Sequence, residues 1–176
     1  MYHVFLADDE PWALMALKNM VCWSDYGFAV SGEAEDGRQA LERIERTDPD
    51  LIISDIRMPG MDGLALMAAL RELGRKTQVL LVSGYTDFEY AREAMRLGCA
   101  GYLVKPVEEK ELIEYLERIR LLLDEKKSEG GGKTGSGYGR RLPFRAPAGA
   151  EHDPLPAGEL CPGGDFTGAC PGIWPE

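Results

Sequence analysis

The chain has 176 residues, a formal charge of -10, and 44% apolar against 28% charged residues, a balance that suits one ordinary globular domain with an appendage. No stretch approaches the roughly eighteen consecutive apolar residues of a membrane-crossing helix, and the N-terminus lacks a basic region leading into an apolar one, so a cytoplasmic protein with no membrane attachment is expected. The acidic balance excludes a chain that grips nucleic-acid phosphates on its own, because that needs clustered Lys and Arg.

Apolar runs and amphipathic stretches alternate from residue 2 to about 125, which predicts a five-stranded parallel sheet with helices on both faces. Tyr2 to Ala7 reads as the first strand, and Pro11 to Trp23 as a helix with Pro just inside its start. Phe28 to Glu33 is the second strand, and Gly37 to Arg46 a helix with Ala40, Leu41 and Ile44 at helical spacing. Leu51 to Ser54 and Val79 to Ser83 enclose a helix over Gly63 to Leu73, and Gly101 to Val104 follows a helix over Asp87 to Leu97. Gly74 and Gly98 stand where helix ends often need positive φ. The last helix, Glu108 to Lys126, carries Leu112, Leu116, Ile119 and Leu123 as a stripe that would cover the sheet; its distal part, around Leu121 to Leu123, could extend as a short coiled coil. Near-continuous apolar strands fit burial on both faces, and right-handed crossovers are the default.

Beyond Lys127 the composition changes. Residues 130–176 hold twelve of the 21 glycines and seven of the 11 prolines, with scattered apolar residues, too little to offset the entropy of ordering. A domain over 1–125 and a disordered tail over 126–176 are therefore expected. The four cysteines show no CxxC spacing; Cys22 and Cys99, inside apolar patterns, read as buried free thiols. Gly131-Gly132-Lys133-Thr134 imitates the end of a phosphate-binding loop, but no strand precedes it and Lys127 stands where the leading glycine belongs. Arg140, Arg141 and Arg145 read as a solvated part of a linker.

Asp8 and Asp9 end the first strand and Asp55 the third. In an open parallel sheet, ligands collect outside the carboxyl ends of the strands, so the three carboxylates are expected to converge on one pocket. Taken alone, Asp8, Asp9 and Glu10 could merely cap the next helix, and Asp55 could be an ordinary turn residue. Ser83 at the end of the fourth strand and Lys105 after the fifth change that balance. Crowded carboxylates call for a cation, and hard oxygen ligands favour Mg²⁺, or Mn²⁺ in its place. A nucleophilic carboxylate, a metal, an ammonium and a hydroxyl donor together make a phosphoryl-transfer site.

The runs Ala7-Asp8-Asp9-Glu10-Pro11, Ser54-Asp55-Ile56-Arg57-Met58-Pro59-Gly60-Met61-Asp62-Gly63, Ser83-Gly84-Tyr85 and Tyr102-Leu103-Val104-Lys105-Pro106 resemble the CheY-like receiver domain of two-component response regulators, in the family's order and spacing from Tyr2 to about Leu123. The resemblance implies a flavodoxin-like, doubly wound sheet of order 2-1-3-4-5. It makes Asp55 the phosphoacceptor. Asp9, Asp55 and the Arg57 carbonyl would bind Mg²⁺, with Asp8 acting mostly through a bound water. Lys105 would contact the phosphoryl group, the Lys105-Pro106 peptide would be cis, and Ser83 with Tyr102 would form the switch pair. A sensor histidine kinase is the implied phosphodonor. The surface of the fourth helix, fifth strand and fifth helix would respond, and a homodimer could form through it.

Trp23-Ser24-Asp25-Tyr26-Gly27-Phe28 and Ser83-Gly84-Tyr85-Thr86-Asp87-Phe88-Glu89-Tyr90-Ala91 resemble receivers that precede AraC-type helix-turn-helix output domains, often in carbohydrate uptake or use. Residues 127–176 depart from that plan: such an output domain needs roughly a hundred residues and a basic recognition helix. Loss of the output domain, by frameshift or truncation, is the favoured explanation over a stand-alone receiver, and DNA binding by this chain alone is not expected. Two other readings fit the same residues: a receiver-like interaction module independent of phosphorylation, and a metal-dependent phosphohydrolase, for which no substrate-binding segment is evident.

Overall fold

In each central strand, successive side chains point to opposite faces of the sheet, and both faces are apolar. In the computed structural model, which describes residues 1–84 and 88–129, this alternation divides the core into two layers. Val4 and Leu6 of β1 (Tyr2–Ala7), Leu51 and Ile53 of β3 (Leu51–Asp55), and Leu80 and Val82 of β4 (Gln78–Ser83) enter one layer. Phe5, Ile52, Val79 and Leu81 enter the other. The first layer is closed by Leu14 and Leu17 of α1 (Pro11–Met20) and by Leu112, Leu116, Ile119 and Leu123 of α5 (Glu109–Glu129). The second is closed by Ala40 and Ile44 of α2 (Gly37–Thr47), Leu66, Met67 and Leu70 of α3 (Gly63–Glu72), and Ala94 of α4 (Phe88–Arg96).

The sheet has the order β2-β1-β3-β4-β5, with β2 at Phe28–Ala34 and β5 at Gly101–Val104. All four pairings are parallel, as expected from the alternating pattern. Register places the C-terminal residues side by side: Ala7 opposite Ser54, Asp55 opposite Val82, and Ser83 opposite Val104. Because β1 connects to β2 on one side while β3 lies on the other, the strand order reverses at the β1–β3 edge, and a crevice opens there.

Most boundaries agree with the sequence pattern within a residue or two. Gly74 and Gly98 take φ of 70° and 78°. The first helix is the clear exception: it stops at Met20, not Trp23, because Val21 is extended (φ -134°, ψ 156°) and Trp23–Tyr26 winds as a separate 3₁₀ turn. The indole N–H of Trp23 donates to the Lys18 carbonyl at 3.0 Å, satisfying an acceptor that the helix end exposes. Cys22 falls in this break and is exposed, and Cys99 is half-buried, so neither is the fully buried thiol expected. The last helix runs on to Glu129, past the expected Lys126. Leu121, at the start of the suggested coiled-coil segment, is exposed, whereas Leu123 is buried in the core. Of the tail expected over 126–176, residues 126–129 belong to this helix; the rest of it, with the phosphate-loop imitation and the Arg140, Arg141 and Arg145 cluster, lies outside the described residues. No described helix is long and apolar enough to cross a membrane.

Candidate functional site

Of the five buried polar or charged residues among those described, Asp8, Ser54, Asp55 and Ser83 stand at the C-terminal end of the sheet, and Thr77 at the other. Burial of unpaired charge is costly, so such a cluster needs partners. Lys105, just past β5, supplies them: its Nζ lies 2.8 Å from Asp55 Oδ1 and 2.9 Å from Asp8 Oδ2. The backbone N–H of Lys105 donates to the Ser83 carbonyl at 2.7 Å, which ties the lysine to the end of β4. The Lys105-Pro106 peptide is cis.

Asp55 is held from both sides. The Arg57 N–H donates to its Oδ2 at 2.5 Å, and the Ser54 hydroxyl donates to its main-chain carbonyl at 2.9 Å. Gly63 lets α3 start directly under this turn, its N–H donating to the Ile56 carbonyl at 2.8 Å. A Cβ at position 63 would overlap the Asp55 carbonyl oxygen and press on Ser54 Oγ and Ile56 Cα. Asp62 caps that helix, accepting from the Ala65 N–H at 2.7 Å.

Asp8 and its neighbours do not cap α1. Glu10, the N-cap residue, makes no side-chain cap, and Asp8 Oδ1 accepts only the Glu10 N–H, at 3.0 Å. The other oxygen, Oδ2, is buried and pairs with the Lys105 ammonium at 2.9 Å. Of the three carboxylates expected to converge, Asp8 and Asp55 meet through Lys105. Asp9 is exposed, and among the described residues no three acidic, His or Cys side chains form a ready metal cage.

Two carboxylates against one ammonium leave the cluster net negative. Burial pushes the Asp55 carboxyl above its usual range and the Asp8 charge adds to this, outweighing the hydrogen bond and charge of Lys105. Burial alone would lower the Lys105 ammonium, but its bonds and charge pairing with Asp55 and Asp8 carry it upward. The residues present therefore fit a hard dication: two buried carboxylates that share a single ammonium, one of them held in place by the Arg57 N–H, and oxygen donors throughout.

Ser83 is buried at the end of β4, and Tyr102 is buried in the layer with α2, α3 and α4. The Tyr102 carbonyl accepts from the Tyr115 hydroxyl at 3.4 Å. Sequence reasoning gave no part to the Ser54 hydroxyl, to Gly63 as a steric requirement, or to the Arg57 side chain, which lies over Tyr90. Ser54 beside Asp55, and Gly63 just after the Asp62 cap, were usable signals for the first two; nothing along the chain announces the third.

Residues 4–117 match the response regulator receiver domain family. The chain belongs to that family. The receiver is 40% identical over 119 residues to the uncharacterized transcriptional regulatory protein YesN of Bacillus subtilis (strain 168), covering 68% of this chain and 32% of that protein. It is 36% identical over 131 residues to the transcriptional regulatory protein HptR of Staphylococcus aureus (strain NCTC 8325 / PS 47), covering 74% of this chain and 51% of HptR. The chain thus spans about a third to a half of the curated relatives it matches. Among solved structures, the receiver is similar to the REC domain of AraT, a response regulator from Geobacillus stearothermophilus, with a TM-score of 0.68 and 35% identity over 72% of this chain and 98% of that one.

Proposed function

We propose that this receiver accepts a phosphoryl group on Asp55 from a sensor histidine kinase and thereby changes the surface made by α4, β5 and α5. The observation that carries the reading is the bridge formed by Lys105 between the buried carboxylates of Asp8 and Asp55. A buried acidic pair held around one ammonium, at the strand-order reversal, is poised for an anion's arrival only if further positive charge comes with it. Asp8, Asp55 and the Arg57 carbonyl, with exposed Asp9 beside them, would hold Mg²⁺ or Mn²⁺, which when bound supplies charge neutralisation for the phosphoryl oxygens. Asp55 is the nucleophile: one carboxylate oxygen bonds to phosphorus while the bond to the donor's leaving group breaks. Lys105 places its ammonium against the transferred oxygens, and the Arg57 N–H steadies the carboxylate. Ser83, buried two strands from Asp8, offers a hydroxyl to the new group, and Tyr102 repacks in response.

The relatives named as transcriptional regulators support a place in transcriptional control, and the Trp23–Phe28 and Ser83–Ala91 runs support an AraC-type lineage. A cytoplasmic location goes with such a partner. The domain is taken as residues 1–125. Incubation with Mg²⁺ and acetyl phosphate should add one phosphoryl group by intact mass, and none to Asp55→Asn or in the presence of a chelator. Equal uptake by Asp55→Asn would refute the assignment. No Mg²⁺ binding in the millimolar range or tighter would favour an interaction module independent of phosphorylation.

A further inference from the structure

The guanidinium of Arg57 has no part in the chemistry above. Its backbone N–H holds Asp55 Oδ2, and its side chain lies over the ring of Tyr90 with 5.6 Å between guanidinium carbon and ring centroid. Tyr90 belongs to α4 and packs, half-buried, against the layer that contains Tyr102. Among the described side chains of α4, only Ala94 is fully buried, and the ion pairs of Arg92 with Glu89 and Arg96 with Glu93 stay within the helix. The described side chains of α4 are mostly exposed or half-buried, so the cation on Tyr90 adds to what holds the helix in place.

We propose that Arg57 tethers α4 to the phosphoacceptor loop through Tyr90 and lets go of it when Asp55 is phosphorylated; this rests on the reading of Asp55 given above. A phosphoryl group brings nearly two negative charges and three acceptor oxygens to the residue whose carboxylate the Arg57 N–H already holds. A guanidinium matches phosphate oxygens in geometry, and a charge-assisted bond to a dianion is stronger than its exposed hold on an aromatic face. The cation therefore exchanges the ring for the phosphoryl group. Tyr90 loses its cover, and α4 is freed by a route separate from Ser83 and Tyr102.

The test is a double-substitution cycle on the full chain, with wild type, Arg57→Gln, Tyr90→Leu and the pair, reading amide hydrogen exchange over residues 88–97. Measurements are made with Mg²⁺ alone and with Mg²⁺ plus acetyl phosphate, and intact mass gives the phosphoryl occupancy of every sample. In the unmodified state each single substitution should raise exchange roughly two- to five-fold, the span of an exposed cation–aromatic contact, and the pair should raise it no further. Arg57→Lys should recover part of the protection. After phosphorylation all four proteins should exchange alike. Additive effects in the unmodified state, or a cycle that persists after phosphorylation, would overturn the tether while leaving Asp55 as the acceptor. Absence of phosphoryl uptake by wild type would overturn both.

Discussion

Asp55 is an acid whose ionised form the fold tolerates poorly and whose proposed role as a nucleophile requires that form. Its carboxyl is raised chiefly by burial, so the folded state binds its proton more tightly than the unfolded chain does. Stability is then lost as pH rises from the ordinary carboxylate range through the raised one, and stays lower above it. Asp55→Asn, which cannot ionise, should therefore melt higher than wild type at neutral pH, with the difference shrinking toward zero as pH falls below that window; thermal melts across pH check this. A variant less stable than wild type at neutral pH would mean that Lys105 outweighs desolvation. Gly63 offers a second residue-scale prediction. Gly63→Ala drives a methyl group into the Asp55 carbonyl, so it should destabilise by ~1–3 kcal/mol, as overpacking does, and should lower the rate of phosphoryl uptake more than a control substitution of equal stability loss.

At the scale of elements, the final helix is fastened at its far end by the first strand. The Tyr2 hydroxyl donates to Asp124 Oδ1 at 2.5 Å, and the Lys127 ammonium lies 3.9 Å from the Tyr2 ring centroid. The hydrogen bond to Asp124 pushes the Tyr2 phenol up to about 12. A phenol raised in the folded state favours folding until it ionises, so stability should fall as pH rises from about 10 to about 12. Tyr2→Phe should remove that fall and speed hydrogen exchange over residues 124–129; exchange equal to wild type would show the helix end is held otherwise. Nearer the start of the helix, Leu116 is fully buried, and Leu116→Ala should cost ~2–5 kcal/mol in denaturant unfolding. The contrast shows what a linear sequence can disclose. Leu112, Leu116, Ile119 and Leu123 were legible because their spacing carries the helix period, and Asp8, Asp55 and Lys105 because each ends an apolar run. The end of α1 was not, since Val21 and Trp23 continue an apolar pattern that only the indole bond to Lys18 and the extended Val21 break. Nor was the Tyr2–Asp124 bond, whose partners are 122 residues apart in the chain, or the exposure of Asp9 when Asp8 turns in.

For the whole molecule, the sheet order brings the ends of β1, β3, β4 and β5 to one edge, and the apolar layers on both faces fix those ends rigidly enough for buried charge to persist there. A dication that binds only the folded form should stabilise the entire domain: at about a hundred times its dissociation constant the gain is ~2.7 kcal/mol. Mg²⁺ should thus raise the melting temperature of wild type and do so less for Asp8→Asn; an equal rise in both would place the ion elsewhere. The account turns finally on which atom takes the phosphoryl group. Protein treated with Mg²⁺ and acetyl phosphate, then reduced with borohydride and digested, should carry homoserine at position 55 and at no other aspartate, because hydride cleaves an acyl phosphate to the alcohol. Homoserine at another position, or phosphoryl uptake that leaves residue 55 an unreduced aspartate, would contradict it.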